Sequence, residues 1–469
     1  MKKGLLVLMI VGLAITLVAP AMAVDWSAGG YMRIGTAYYK NINHEDGIPL
    51  PTNAAWNEEN AWVQMRTRVK ITARASEDLY GVLYFEMDSA RWGEAGIIAR
   101  NSIGTYGADQ VAVEVKNVYI DFRVPPKLPI WIRAGIQNIK IRPHVFFERD
   151  AAGITARIKI DPIKLTITPM YLKRFEGLDH TEADDRDIYA VDLNLPIGPV
   201  QVGGYFLWDA VRQWPTTEDD GQLWWLGAYS DGKIGPVQYN FDFSYSGGGF
   251  DYAAAPDVDI EGWLIRVAAS YVWNKLTVGA GGWYSSGDDY DSNDFEGYAL
   301  PEGGSGAPGG CNDDILILLG DWFGTGGMNT TGPSFVGTNG RYGWPGSPSP
   351  TGSQFGGFWY IRGFANYHVF SWLKIGGQIA YIGDTSDNGD TFGSSREAPF
   401  GATDLDDNDS IGWEFDIGAS IKIYKNLTYN LAFGYLIAGS ALDHWDTGAG
   451  TNASGQDPWA FITRLEYKF

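Results

Sequence analysis

Eighteen segments of alternating polarity constrain this chain more than anything else in it, because no stretch after the N-terminus is apolar for long enough to cross a bilayer as a helix. A strand turns successive side chains to opposite faces, so alternation with period two makes one oily face and one wet face. The pattern predicts strands at 27–40, 61–74, 78–89, 111–124, 130–140, 153–161, 163–174, 186–195, 199–210, 222–232, 235–246, 260–273, 275–287, 356–370, 372–384, 410–424, 426–438 and 458–469. Pro169 interrupts the segment 163–174, and a parity shift at Lys116–Asn117 predicts a β-bulge in 111–124.

The connections strictly alternate between two kinds. One set is very short: Ser76-Glu77, 125–129, Asp161-Pro162, 196–199, 231–235, Asn274, Ser371 and Lys425. The other set is long and polar: 41–60, 90–110, 141–152, 175–185, 211–221, 247–259, 288–355, 385–409 and 439–457. An up-and-down sheet therefore has all its long loops at one end. A soluble sandwich has no need of that asymmetry, whereas a sheet closed in lipid satisfies every backbone group internally.

Both ends of the sequence agree with export. Lys2 and Lys3 precede an apolar run from Leu5 to Val18 and then Ala21-Met22-Ala23, the pattern of a cleaved secretory signal. Residues 1–23 are thus excluded from the fold, and 24–469 are read as one domain in which 288–355 is a single large external loop. The final segment, Trp459 to Phe469, alternates apolar residues with Arg464, Glu466 and Lys468 and stops on an aromatic. In this it resembles the closing strand of Gram-negative outer-membrane barrels. The resemblance implies that Phe469 and Tyr467 are an assembly signal read by the barrel-assembly machinery.

Taken whole, the sequence resembles bacterial outer-membrane porins as a class. An even strand count, tight turns at one end and long loops at the other are what such barrels show. The expected fold is an all-β, transmembrane, antiparallel up-and-down β-barrel of about 18 strands, with 16 as the alternative count. The resemblance implies passive diffusion of ions and small hydrophilic solutes across an outer membrane, and it admits a homotrimer. The composition agrees: with 19 Trp, 26 Tyr and 22 Phe the chain can build aromatic girdles at both lipid interfaces.

Lipid-facing charge costs about 2–4 kcal/mol near the midplane, so the cations of 61–74 must face water. Parity then places Arg66, Arg68, Lys70 and Arg74 in the lumen, with Arg33, Arg123, Arg133, Arg157 and Lys159 sharing that orientation on nearby strands. Glu86, Asp88 and Asp121 are the opposite-sign candidates. Either these charges neutralise one another across strands, or they leave a positive wall that attracts anions. From Val24 to Phe175 there are 20 Lys and Arg against 16 Asp and Glu; from Glu176 onward there are 13 against 40. The first third is mildly basic and the rest acidic, with no case for nucleic-acid binding. Loop 141–152 could supply a constriction through Arg142, Glu148, Arg149 and Asp150, or could be a surface turn.

Other chemistry is thin. No P-loop, G-x-S-x-G or H-E-x-x-H occurs, and His444 beside Asp443 and Asp446 is the least poor catalytic candidate, so no enzyme is expected. The lone Cys311 makes no intrachain disulfide, and without C-x-x-C-H no c-type haem attaches. No cofactor is expected beyond structural Ca²⁺. Its candidate oxygen ligands recur at alternate positions: Asp289, Asp291, Asn293; Asp384, Ser386, Asn388; and Asp404, Asp406, Asn408. Two alternatives to a diffusion channel stand: a barrel sheathing a partner such as a periplasmic cytochrome, and a receptor or adhesin scaffold displaying its loops.

Overall fold

The computed structural model describes residues 24–41, 59–92, 102–103, 113–143, 145–175, 186–211, 220–251, 256–288, 294–299, 301, 315–319, 357–385, 408–442, 444–446, 451–453 and 456–469. Outside them lie the expected signal segment 1–23, the side chain of Asp88, and Asp289, Asp291, Asn293, Ser386, Asn388, Asp404 and Asp406 of the Ca²⁺ candidates. Among the described residues no group of His, Cys, Asp or Glu has metal-binding geometry.

Eighteen strands form the wall. They are β1 (Asp25–Lys40), β2 (Glu59–Ser76), β3 (Leu79–Trp92), β4 (Val113–Arg123), β5 (Ile130–Ile141), β6 (Phe147–Ile160), β7 (Leu165–Phe175), β8 (Arg186–Ile197) and β9 (Val200–Val211). The second half is β10 (Asp220–Ile234), β11 (Val237–Asp251), β12 (Val258–Trp273), β13 (Leu276–Ser285), β14 (Phe358–Phe370), β15 (Leu373–Asp384), β16 (Ser410–Tyr424), β17 (Leu427–Ala438) and β18 (Trp459–Lys468). Each pairs antiparallel with the next, and β18 returns to β1 through Arg33↔Glu466 and its neighbours. The seam runs to the terminal residue: the Phe469 N–H donates to the Gly30 carbonyl at 3.1 Å, and the Phe469 carbonyl accepts from Gly30 at 2.9 Å. Closure leaves no unpaired sheet edge in lipid.

Local sequence explains the irregularities. Tyr84 faces Asn117 but Phe85 faces Val115, so Lys116 is the extra residue of a bulge. Pro169 has no N–H to give, and the β6–β7 ladder jumps from Thr155↔Met170 to Ile158↔Ile167 beside it. One strand begins earlier than its polarity suggests. β6 starts at Phe147 instead of 153, which shortens the loop after β5 to residues 142–146. The charges that obscured its start are paired: Lys140 Nζ lies 2.5 Å from Glu148 and Lys116 Nζ lies 2.5 Å from Asp150.

The outward face is apolar and ringed with aromatics. Trp263 packs on Tyr284 at 4.7 Å, Tyr381 on Trp413 at 4.9 Å and Tyr38 on Trp459 at 4.9 Å, all toward the long-loop end. Trp273, Trp372 and Tyr424 project at the short-turn end. Trp263 and Trp273 lie ten positions apart on β12, about 25 Å of membrane normal in a tilted strand, which matches the apolar band of outer-membrane barrels.

Candidate functional site: the lumen

The lumen divides by height. Toward the long loops it is filled largely with apolar side chains, around a buried cluster in which Arg174 and Arg186 both pair with Asp209. Toward the short turns it is lined by charge.

Two segments fold inward to fill the first part. The short loop 142–146 reaches across part of the bore to β10 and β11, five strands round the wall. Arg142 sits just past the end of β5, in the left-handed backbone region (φ 45°), and its guanidinium reaches Asp231 on β10 at 2.5 and 3.0 Å and Asp242 on β11 at 2.5 Å. It also lies over the Tyr229 ring at 4.4 Å. Burial disfavours its charge, but hydrogen bonds to Asp242 and Asp231 outweigh that and raise its pKa, so Arg142 is a permanent cation. Asp242 keeps a second cation, Arg266, at 3.5 Å. Four residues on, Phe146 is fully buried and stacks on Tyr205 at 4.3 Å, with Trp225 edge-on at 6.3 Å.

The second inward segment belongs to the large loop 288–355. Residues 294–299 run along the inner wall beside β12, where Phe295 exchanges backbone bonds with Asp259 and Glu261. Tyr298 is fully buried and donates to Ser244 Oγ at 2.8 Å, and the Ala299 carbonyl accepts from Trp225 Nε1 at 2.6 Å. Farther along the loop, Leu316–Leu319 form one helical turn against β17 and β18. Ile315, Leu316 and Ile317 are completely buried. Asp416 accepts from the Leu316 N–H at 3.2 Å, and Glu414 accepts from the Ile317 N–H. Gly434 leaves the room: a Cβ there would lie 3.1 Å from side-chain atoms of both Leu316 and Ile317 and 2.5 Å from Asp416 Oδ1.

The charged part lies lower, and the register places the sequence-predicted cations there on adjacent strands. Arg33 pairs with Glu466, Arg68 with Glu86, and Arg133 with Asp121 at 2.8 Å. Arg66 and Lys116 each approach Glu86 at 3.5 Å. Arg123 turns to its own β4–β5 turn and donates to the carbonyls of Leu128 and Lys127 at 2.8 and 2.7 Å. Four cations keep no carboxylate among the described residues: Lys70, Arg74, Arg157 and Lys159. Arg74 lies over Tyr80 at 4.7 Å, while Arg157 and Lys159 lie over Trp131 at 5.0 and 5.1 Å. Rings hold Arg74, Arg157 and Lys159 in place without neutralising them.

The remaining residues of 141–152 do not join Arg142. Glu148 bonds Lys140, Asp150 takes Lys116 and Asn117, and Arg149 stands exposed opposite Ile139 in the β5–β6 register. Of the Ca²⁺ candidates, Asp384 ends β15 and is buried, and Asn408 precedes β16. His444 lies in a short hairpin, His444–Asp446 with Thr451–Ala453. Sequence reasoning missed Asp231, Asp242, Glu414 and Asp416. Their parity alone marks them as lumenal, but nothing local names their partners, which lie about 100 residues away.

No protein family and no curated protein matches the sequence. Solved structures do. OccK8 (OprE) of Pseudomonas aeruginosa is 12% identical over 95% of this chain and 98% of its own, with a TM-score of 0.52. OpdL of the same organism is 12% identical over 95% and 99%, with a TM-score of 0.50, and the outer membrane protein OpdK is 11% identical over 94% and 98%, with a TM-score of 0.50. Closed eighteen-strand topology, the loop asymmetry and this end-to-end likeness converge: the chain is a transmembrane β-barrel with the fold of Gram-negative outer-membrane porins.

Proposed function

We propose that this barrel is an outer-membrane channel for small hydrophilic solutes that prefers anions, exported by residues 1–23 and inserted by machinery that reads Phe469. The observation that carries the preference is a set of cations that keep no carboxylate among the described residues, Lys70, Arg74, Arg157 and Lys159, on one polar wall of the lumen. In a narrow water-filled passage with low-dielectric walls, fixed charge of one sign concentrates the opposite ion. Arg33, Arg66, Arg68 and Arg133 contribute less, because Glu466, Glu86 and Asp121 offset them. OpdK of Pseudomonas aeruginosa, which shares the fold, has been solved with vanillate, a carboxylate.

The filled half of the lumen supports a narrow channel over a sheath. A barrel that sheathed a cytochrome would keep its interior free for the partner. Here Phe146, Tyr298 and Ile315–Ile317 occupy it.

Planar-bilayer recording in a KCl gradient tests the reading. Stepwise channels with a reversal potential of anionic sign are expected. Cation preference, or no channels from folded protein, would overturn it.

A further inference from the structure

The two ends of the barrel differ in charge. The segments that join strands at the long-loop end carry 32 Asp and Glu against 5 Lys and Arg. The short-turn end reverses this over half the circumference. From the β8–β9 turn round to β16–β17 there are five turns, and neither they nor the two strand residues on either side of each include Asp or Glu. With the last two residues of the chain they hold Lys233, Lys275, Lys374, Lys425 and Lys468. The acids of this end sit in the other half: Asp25 at the start of β1, Glu77 and Asp78 before β3, and Asp161 before β7.

The acid-free turns also carry exposed rings. Trp273 is 62% exposed and precedes Lys275 by two positions, and Tyr424 is 69% exposed and precedes Lys425 by one. Trp and Tyr settle where the oily band meets the headgroups, so they fix the depth of their neighbours. A lysine beside them lays its stem along the oily surface and holds its ammonium among lipid phosphates. Hydrogen bonds tie three of these turns together. Lys275 Nζ donates to the Val369 carbonyl at 3.4 Å, and the Lys275 carbonyl accepts from the His368 N–H at 2.9 Å. This seats Lys275 beside the turn Phe370-Ser371-Trp372, where Phe370 stacks on Trp372 at 5.3 Å. The Lys422 N–H donates to the Trp372 carbonyl at 2.8 Å and joins that turn to β16, which ends on Tyr424 just before Lys425.

Lysines beside exposed rings, with no carboxylate in their turns, make a surface for an anion that carries acyl chains. The rings place the lysines at headgroup depth, where lipid and not a soluble acidic protein is the neighbour. A neutral lipid would leave the ammonium groups without a counter-charge. Each lysine near an anionic lipid surface strengthens binding about fivefold, and the attraction fades within a Debye length. The acidic long loops repel the same headgroups, so the preference belongs to the short-turn end. We infer that the short-turn rim from β12 to β17 binds anionic glycerophospholipids, with Lys275 and Lys425 on the phosphates and Trp273, Trp372 and Tyr424 against the glycerol and acyl chains.

Native mass spectrometry of the full-length barrel, delipidated in neutral detergent and titrated with phosphatidylglycerol or phosphatidylcholine, tests this. Heat-modifiable gel migration checks that each protein is folded. Phosphatidylglycerol adducts are expected at several-fold lower lipid concentration than phosphatidylcholine adducts. The double variant Lys275→Gln, Lys425→Gln should weaken phosphatidylglycerol binding about tenfold or more and leave phosphatidylcholine binding unchanged. Neutralising Lys70, Arg157 and Lys159 to Gln should change neither, which separates the rim from the cations of the bore. Equal binding of the two lipids by folded wild type, a rim variant that binds phosphatidylglycerol as wild type does, or a lumenal variant that loses it would each overturn the inference.

Discussion

The two halves of the lumen solve opposite problems. Near the short turns the inner wall is lined by charge, with Arg157 and Lys159 exposed to the lumen. Near the long loops the same wall is dry, with Leu207, Leu223, Trp225 and Phe358 wholly buried. The strands are continuous through both halves, so the difference is not architectural. It comes from what the loops place inside: a cation that reaches across part of the bore, an aromatic ring and a helical turn. A barrel wall built to be lined by water becomes the shell of an ordinary hydrophobic core wherever a loop supplies the other side.

Four changes would break or sharpen that contrast. The largest effect is expected from Arg142→Ala, which leaves the buried Asp242 to the more distant Arg266 and takes the cation from the partly exposed Asp231. Removing one partner of a buried charge cluster costs about 3–5 kcal/mol, and single-channel conductance should rise several-fold as the loop leaves the bore. Unchanged conductance would show that the loop does not narrow the path. Next, Phe146→Ala removes a ring stacked on Tyr205 and should cost about 3 kcal/mol in denaturant unfolding, with noisier current but unchanged ion preference.

Gly434→Leu fills the niche beneath Leu316 and Ile317. It should expel the helical turn from β17 and raise limited proteolysis within residues 302–356, while the barrel stays folded by gel migration. Protection equal to wild type would show that the turn does not depend on this seat. The smallest effect belongs to the wet half. Neutralising Lys70, Arg157 and Lys159 to Gln should shift the reversal potential toward zero by more than neutralising Arg66 and Arg68, and the shift should shrink as KCl is raised. Equal shifts from both sets would mean that pairing with Glu86 does not discount a lumenal arginine.

Much of the wall was legible in the sequence because a strand in lipid has a strong one-dimensional signature. Alternation located all eighteen strands, and parity sent Arg66, Arg68 and Arg133 inward and foresaw the bulge at Lys116. The start of β6 escaped because Glu148 and Asp150 read as loop until their partners Lys140 and Lys116 are known. The contents of the bore were barely legible, for a different reason. Arg142, Phe146 and Ile315–Ile317 are read against residues far away in sequence, and no local period encodes a loop's destination. The run Ile315–Leu319 is apolar enough to need a partner, but its sequence does not say which one.

The Arg142 bridge has a mechanical consequence. A thin hoop ovalises under side pressure, since nothing links its opposite arcs. A strut from the β5–β6 corner to β10 and β11, fastened by two carboxylates, ties together the arc of five strands between them. Membrane tension that would distort an empty ring of this circumference should therefore leave the aperture beside Arg142 nearly constant.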